Sequence, residues 1–230
     1  MIYSFLMIGQ SNMAGRGHLG EVQPISDPRL LMMRNGRWQK LSEPLNFDRP
    51  TAGVCLATSF AYRFIQDHPD DQVAMIPCAD GGTGIDDWEK GTPLYENAVF
   101  CAKMAMKTST LTGILWHQGE HDSCEELIGD YSEKLIRFFE DLKAELGVSV
   151  PIVMGGVPLA HFSDEEEKRR YATVLNGKLR EIAKNVPEVY FVTEKGLDCN
   201  EDHLHINASS LRVFGERYYE VFSQKESLWD

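Results

Sequence analysis

The sequence lacks the features that mark several protein classes. Its five cysteines are scattered and include no C-x-x-C pair, which argues against a zinc ribbon or a disulfide framework. Lysine and arginine number 23 against 35 acidic residues, and the formal net charge of −12 disfavours nucleic acid and anionic membranes as partners. No apolar run is long enough to span a membrane, and the N-terminal region does not resemble a secretion signal. We therefore expect a cytoplasmic protein.

Short aliphatic runs dominate the pattern that is present. The 230 residues suffice for one well-filled core, so we predict a single domain over residues 1–230. Runs without strict alternation are typical of strands covered on both faces. Five such strands are predicted, over 2–8, 72–77, 112–116, 151–155 and 189–192.

Helical patterns lie between these strands, which predicts an α/β fold. We expect a three-layer, doubly wound, flavodoxin-like sheet of about five parallel strands with helices on both faces. Helices are predicted over 56–66, after the S-x-x-E capping boxes Ser123/Glu126 and Ser163/Glu166, and from the cap Asn207 to about residue 222. Residues 18–53 hold four prolines and are predicted as a long loop or small excursion near the site.

Four groups of unusual residues fall just after four of these strands, where an open α/β sheet binds its ligands, and the fourth group lies in the loop before the last helix. Ser11 comes directly after the first strand, although Met13 replaces the second glycine of a G-x-S-x-G elbow. A serine there is either a helix cap or, given a base and an oxyanion site, a nucleophile. Asp202 and His205 are three residues apart, so in a tight turn the carboxylate can orient the imidazole.

Two further groups are candidates for holding an oxyanion. Gly81 and Gly82 follow the second predicted strand, where they form a plain tight turn or let backbone N–H groups approach a ligand. Gln118 follows the third predicted strand. Its carboxamide either forms hydrogen bonds within the fold or donates to an oxyanion.

A zinc site is an alternative use of the same segment. His117, Glu120 and His121 match the zinc-hydrolase pattern H-x-x-E-H. That pattern needs a helix to bring both histidines onto one face, whereas Gly119 and the preceding strand indicate a turn. We therefore predict no metal and no cofactor.

The order of these groups along the chain resembles the SGNH hydrolases. More narrowly, it resembles the branch that contains sialate O-acetylesterase and the acetylxylan esterases of carbohydrate esterase family six. The motifs that carry the resemblance are G-Q-S-N-M-A-G (9–15), G-G-T-G-I-D-D-W (81–88), W-H-Q-G-E (116–120) and D-H-L-H-I-N-A (202–208). The resemblance spans nearly the whole chain and implies an SGNH hydrolase fold with carboxylic ester hydrolase activity.

The resemblance also implies roles for individual residues. Ser11 would be the nucleophile, His205 the general base and acid, and Asp202 the residue that orients His205. Glu120 would brace Gln10 or the histidine, or compete with Asp202 for the same role.

Oxyanion donors follow from the resemblance in the same way. They would be the N–H of Ser11, the N–H of Gly81 or Gly82, and the side chain of Gln118, which stands where other SGNH enzymes use asparagine. Substrate contacts are expected from Asn12 and from Trp88, which is predicted as a cleft wall close after the glycine turn.

The leading hypothesis is a serine esterase that removes a small acyl group, expected to be acetyl, from a carbohydrate through an acyl-enzyme. The alternatives are a metal-dependent hydrolase, which a chelator would inactivate, and a non-catalytic carbohydrate-binding relative, which would bind sugar without releasing acyl groups. The expected partner is a small-molecule or oligosaccharide ester. The alcohol, the acyl length and the oligomeric state stay open.

Overall fold

A mostly parallel sheet runs through the centre of the protein, whose computed structural model describes residues 1–230 apart from the side chain of Ala160. Its strands are β1 (Ile2–Gly9), β2 (Leu30–Arg34), β3 (Arg37–Lys40), β4 (Gln72–Pro77), β5 (Thr110–His117), β6 (Ile152–Gly155) and β7 (Val189–Val192). Within the described chain these seven strands lie in the order β3-β2-β4-β1-β5-β6-β7. The pairing is parallel except between β2 and β3, which run antiparallel.

Helices cover both faces of this sheet. They are α1 (Ser11–Ala14), α2 (Leu56–Asp67), α3 (Pro93–Ala105), α4 (Tyr131–Leu146), α5 (Leu159–Phe162), α6 (Glu166–Asn185) and α7 (Ala208–Gln224). Leu6 and Ile8 of β1 pack in one core with α3, α4 and α6, while Phe5 and Met7 pack in the other with α2 and α7. Successive side chains of a strand point to opposite faces, so a strand between two cores must be apolar throughout. The predicted three-layer fold is confirmed.

The carboxyl end of β1 is the topological switch point of the sheet. The chain first builds β2 and β4 on one side of β1 and then crosses to β5, β6 and β7 on the other. Gly9 lies opposite His117 of β5, and Met7 lies opposite Pro77 of β4. The loops that follow β1, β4 and β5 therefore meet at one edge, where doubly wound sheets hold their ligands. Among the described residues, no helix is both long and apolar enough to cross a membrane.

The segment 18–53, predicted as a long loop or small excursion, also contributes two strands to the sheet. It contains the hairpin of β2 and β3, and β2 extends the parallel sheet by pairing with β4. Asn35 and Gly36 form the hairpin turn with φ of 52° and 73°. An Asn-Gly pair favours such a turn because both positions need positive φ. The signal was present in the sequence, but the prolines around it suggested a loop.

Neither predicted capping box caps a helix, although α6 does begin just after Ser163, as predicted. The Ser123 hydroxyl donates to the Gly119 carbonyl at 2.8 Å, and α4 begins only at Tyr131. Ser163 accepts a hydrogen bond from the N–H of Glu165 at 3.2 Å, just before α6 begins. In both cases the serine stabilises a turn, because short hydroxyl side chains bond to nearby backbone as readily in turns as at helix ends.

Helix caps account for two other elements. Asn207 caps α7 as predicted, since its side chain accepts from the N–H of Ser210 at 2.9 Å. Helix α3 was not predicted, although Thr92 caps it through the N–H of Tyr95 and Pro93 occupies its first turn. Threonine followed by proline is a typical helix start.

Candidate active site

The turn after β1 places Ser11 at the floor of a cleft. Gly9 has a φ of 128°, and a Cβ at this position would overlap the carbonyl oxygen of His117, so the turn requires glycine. The N–H of Gln10 donates to that same carbonyl at 2.9 Å, which ties the end of β1 to β5. Ser11 then begins α1, is 5% exposed and lines a cleft of about 820 Å³.

The loop before α7 brings an imidazole onto this serine. His205 Nε2 lies 3.0 Å from Ser11 Oγ, and His205 Nδ1 lies 2.6 Å from Asp202 Oδ2. The second oxygen of Asp202 accepts from the N–H groups of Leu204 and His205 at 3.0 and 2.9 Å. These bonds close the turn that the D-x-x-H spacing requires. The structure thus brings together the three residues that the sequence singled out.

Electrostatics in this turn keep Asp202 ionised. Burial raises the pKa of the Asp202 carboxyl, but hydrogen bonds from the His205 N–H, the His205 side chain and the Leu204 N–H outweigh burial and lower that pKa. An anionic Asp202 favours the tautomer that carries its proton on Nδ1. His205 Nε2 is then free to accept the hydroxyl proton of Ser11.

Asn12 lies beneath the site and connects its parts. Its Oδ1 accepts from the N–H of Ile206 at 2.9 Å, and its Nδ2 donates to Glu120 Oε1 at 2.5 Å and to the Leu204 carbonyl at 3.4 Å. The side chain is fully buried and does not line the cleft. The prediction that Asn12 contacts substrate is therefore wrong, because its polar atoms bond to Glu120 and to the loop that carries His205.

Glu120 has a different role from each of those predicted. Its Oε1 accepts from Asn12 and lies 3.1 Å from His117 Nε2, and it bonds neither to Gln10 nor to His205 among the described contacts. Burial raises the pKa of Glu120, but the charge and hydrogen bond of His117 together with the bond from Asn12 lower it overall. Glu120 is thus an internal anion that anchors Asn12, and Asp202 alone faces His205.

Two predicted oxyanion donors are already occupied. The N–H of Gly81 donates to Asp48 Oδ2 at 2.9 Å. Gln118 is fully buried, and its Nε2 faces three acceptors, namely Asp122 Oδ2 at 2.5 Å, Gln10 Oε1 at 3.1 Å and the Thr83 carbonyl at 3.1 Å. An amide NH2 has two hydrogens, so none remains for an oxyanion. The prediction of Gln118 and Gly81 as donors is wrong for this arrangement.

Two backbone donors of the predicted set stay available. The N–H groups of Ser11 and Gly82 have no acceptor within the described part of the chain. Gly82 lines the cleft beside Ser11 with a φ of 81°, and a Cβ there would meet nothing within 4 Å. Of the two glycines, Gly82 therefore has the free N–H group.

Charged residues that no sequence motif signalled hold the glycine turn. Arg16 and Asp48 form an ion pair at 2.5 Å with side chains that are 6% and 3% exposed. Asp48 also accepts from the Gly81 N–H, and Arg49 donates to the Gly81 carbonyl at 2.8 Å. Asp48 and Arg49 lie in the proline-rich segment, where no motif signalled them.

A comparison with protein families settles the broad identity of the chain. The family described as "Carbohydrate esterase, sialic acid-specific acetylesterase" matches residues 2–224. The chain belongs to this family. Its members are carboxylic ester hydrolases, and the predicted enzyme class is confirmed. An Arabidopsis thaliana protein named "Probable carbohydrate esterase" is 28% identical over 229 residues, which is 90% of this chain and 84% of that protein.

Solved structures share the fold of this carbohydrate esterase family member. The crystal structure of an Arabidopsis thaliana protein has a TM-score of 0.85 at 24% identity and covers 96% of this chain and 98% of its own. NanS follows with a TM-score of 0.76 at 16% identity over 97% of each chain. Axe2, an acetylxylan esterase from Geobacillus stearothermophilus, has a TM-score of 0.54 at 10% identity and covers 94% of this chain and 92% of its own.

Trp88 of this esterase does not form a cleft wall. It is fully buried and packs edge-on against Trp116 with ring centroids 5.6 Å apart. Its indole N–H donates to Thr83 Oγ1 at 3.2 Å. The prediction that Trp88 contacts substrate is wrong, because the 3₁₀ turn Ile85–Trp88 directs the ring into the core between the sheet and α4.

The two histidines of the H-x-x-E-H pattern lie in different settings. His117 is the last residue of β5 and is fully buried against Glu120 and Tyr218. His121 follows in a turn and lines the cleft. No group of three or more His, Cys, Asp or Glu side chains in the described residues is arranged to hold a metal ion.

Proposed function

We propose that this protein is a serine esterase that hydrolyses acetyl esters of carbohydrates through an acyl-enzyme. The observation that carries the proposal is the chain of contacts from Ser11 Oγ to His205 Nε2 at 3.0 Å and from His205 Nδ1 to Asp202 at 2.6 Å, at the floor of the cleft. A hydroxyl, a base and an orienting acid that contact one another in this order form a nucleophilic unit. Membership of the carbohydrate esterase family supports the same reaction.

The reaction proceeds in two halves. His205 Nε2 takes the Ser11 proton while Oγ attacks the ester carbonyl carbon, and the carbonyl oxygen becomes an oxyanion beside the N–H groups of Ser11 and Gly82. Collapse of this intermediate breaks the ester bond, and the departing sugar oxygen takes the proton from His205. A water molecule then gives a proton to His205 and attacks the acyl-enzyme, which releases acetate and returns the proton to Ser11.

The cleft suits a polar substrate. Its volume of about 820 Å³ falls in the range of small-molecule sites. Its walls beyond the reacting groups carry hydrogen-bonding side chains, namely Arg49, Thr51, Ser163, Asp164 and Lys168. A sugar ring presents many hydroxyl groups to such walls, whereas a long acyl chain would leave them unpaired.

Replacement of the nucleophile tests the proposal. Ser11→Ala should lower hydrolysis of p-nitrophenyl acetate to the uncatalysed level, because loss of the nucleophile in such a unit costs on the order of 10⁶ in rate. A fluorophosphonate should add one label to the wild-type protein and none to this variant, as read by intact mass. The control is Ser223→Ala on the outer part of α7, which should keep full activity and labelling.

The outcome that contradicts the proposal is sustained turnover by Ser11→Ala. Loss of wild-type activity on treatment with a chelator would instead favour a metal-dependent hydrolase. Acetate release from a panel of acetylated mono- and oligosaccharides then identifies the sugar. Binding of these sugars without any acetate release would favour a non-catalytic relative.

A further inference from the structure

The candidate oxyanion site lacks a side-chain donor once Gln118 is assigned to the interior. A tetrahedral intermediate on Ser11 needs donors aimed at the position where charge develops. Two backbone N–H groups remain, those of Ser11 and Gly82. Gln10, directly before Ser11, lines the same cleft and is 3% exposed, so its carboxamide is the next group to consider.

The orientation of the Gln10 carboxamide is determined by its neighbours. Its Oε1 accepts from the N–H of Gly119 at 3.3 Å, from the N–H of His121 at 3.3 Å and from Gln118 Nε2 at 3.1 Å. Two of these donors are backbone groups, which cannot act as acceptors. A flipped carboxamide would place its NH2 against two N–H groups, so the oxygen must face the turn after β5.

The NH2 group of Gln10 is therefore directed away from that turn. It donates to no protein acceptor within the described residues, although Gln10 is almost wholly buried. The nitrogen is not one of the fully buried side-chain atoms that lack a partner in the described residues, so it is in contact with solvent. An amide NH2 that the fold leaves unused costs free energy unless water or a ligand occupies it. The cleft beside Ser11 is the space that Gln10 faces.

We propose that Gln10 Nε2 is the side-chain oxyanion donor of this enzyme and that Gln118 is a positioning residue that holds it. The inference rests on the proposed acyl transfer at Ser11. Gln118 is itself held, because Tyr131 donates to its Oε1 at 2.9 Å and Asp122 accepts from its Nε2. The core thus holds Gln118 in place. Gln118 and two backbone N–H groups in turn orient Gln10, which presents its NH2 group to the reacting carbonyl.

The variant Gln10→Glu separates a donor from a structural anchor. A carboxylate keeps the acceptor for Gly119, His121 and Gln118 but has no NH2 group. The remaining hydrogen bonds should keep the turn after β5 in place, although the buried carboxylate lowers the melting temperature. We expect kcat for p-nitrophenyl acetate to fall by at least 100-fold, since removal of one oxyanion donor costs about 10²–10³. The KM should change by less than about threefold, because the donor acts mainly on the developing charge.

A tetrahedral analogue provides a readout that a structural role would not move. Phenylboronic acid forms an anionic tetrahedral adduct with a reactive serine, so its inhibition constant should rise in parallel with the fall in kcat/KM. In the neutral variant Gln10→Met, the inhibition constant should likewise rise as kcat/KM falls, without an added charge. The charge control is Gln224→Glu at the exposed end of α7, which should leave both quantities unchanged.

A kcat for Gln10→Glu within threefold of the wild type would overturn the inference, as would loss of kcat in either variant without weaker boronate binding. Such a result leaves the proposed function intact as long as Ser11→Ala is inactive. Turnover by Ser11→Ala would instead refute the proposed function itself. If Gln10→Glu melts far below the wild type, its kcat is measured at a temperature where it remains folded. Gln10→Met loses the three acceptor bonds but adds no buried charge, so it shows whether the loss of kcat depends on that charge.

Discussion

Replacement of Asn12 by alanine should weaken both the fold and the reaction. The change removes the acceptor of the buried Ile206 N–H, the donor to the buried Glu120 and the donor to the half-buried Leu204 carbonyl. A buried N–H left without a partner costs about 1–3 kcal/mol, and a lost bond to a charged group costs about 1.5–3 kcal/mol. The free energy of unfolding should therefore fall by about 3–5 kcal/mol, a large share of the stability of a typical domain.

The same variant should lower kcat because Leu204 and Ile206 flank His205. Without Asn12 this segment loses its two bonds to the turn that carries Ser11, and the 3.0 Å contact between His205 Nε2 and Ser11 Oγ is no longer enforced. We expect kcat to fall by about 10–100-fold at temperatures where the variant remains folded, since small misplacements of reacting groups have costs of this order. Urea unfolding followed by circular dichroism and hydrolysis of p-nitrophenyl acetate measure the two effects.

Asn176 offers a matched control for this experiment. It is 5% exposed, accepts from the N–H of Val157 at 2.7 Å, and donates to the Val157 carbonyl and to the buried Glu194. Asn176→Ala should lose comparable stability but keep the kcat of the folded protein, because the bonds of Asn176 do not reach His205. An Asn12→Ala protein with wild-type kcat and an unfolding free energy within 1 kcal/mol of the wild type would refute the reasoning.

The remaining predictions concern pH and two glycines. The pKa of Asp202 is lower in the folded protein than in the unfolded chain, so the ionised carboxylate stabilises the fold. This stabilisation is complete above the ordinary pKa of the carboxyl, near pH 4, and is lost as the pH falls through the folded-state pKa. The stability gap between the wild type and Asp202→Asn should therefore shrink between pH 6 and pH 2 in urea titrations; an unchanged gap would contradict the assignment. Gly177→Ala, in an exposed part of α6 with open space at the Cβ, should raise stability by about 0.5–1 kcal/mol. Gly9→Ala should destabilise the protein, because its φ is positive and a Cβ would overlap the His117 carbonyl; equal melting temperatures for the two alanine variants would exclude this explanation.

Local patterns were sufficient for the main outline of this protein. The five aliphatic runs became β1, β4, β5, β6 and β7, because a strand between two cores needs apolar residues on both faces. The spacing of Asp202 and His205 predicted their contact, because three residues are enough to close a turn. The Asn207 cap followed from the same kind of short-range reasoning.

Other features depended on signals that compete within the sequence. The Asn35-Gly36 hairpin was available to sequence reasoning, but the surrounding prolines favoured a loop. Ser123 and Ser163 matched a capping box and instead stabilise turns, since the same hydroxyl can bond to backbone in either setting. Trp88 follows a glycine turn, and no local feature distinguishes a ring that faces a cleft from one that enters the core.

The assignment of the two carboxamides shows what the sequence alone determined and what it left to the tertiary structure. Sequence was enough to place Gln10 and Gln118 at the ends of two predicted strands, because apolar runs end there. Only the folded chain decides which NH2 group stays free. The parallel pairing of β1 with β5 brings Gln118, the Gly119 N–H and the His121 N–H onto the Gln10 oxygen. The direction of a carboxamide depends on donors and acceptors that lie more than a hundred residues away in the chain. The spacing of residues within a motif does not depend on those distant groups and therefore does not predict that direction.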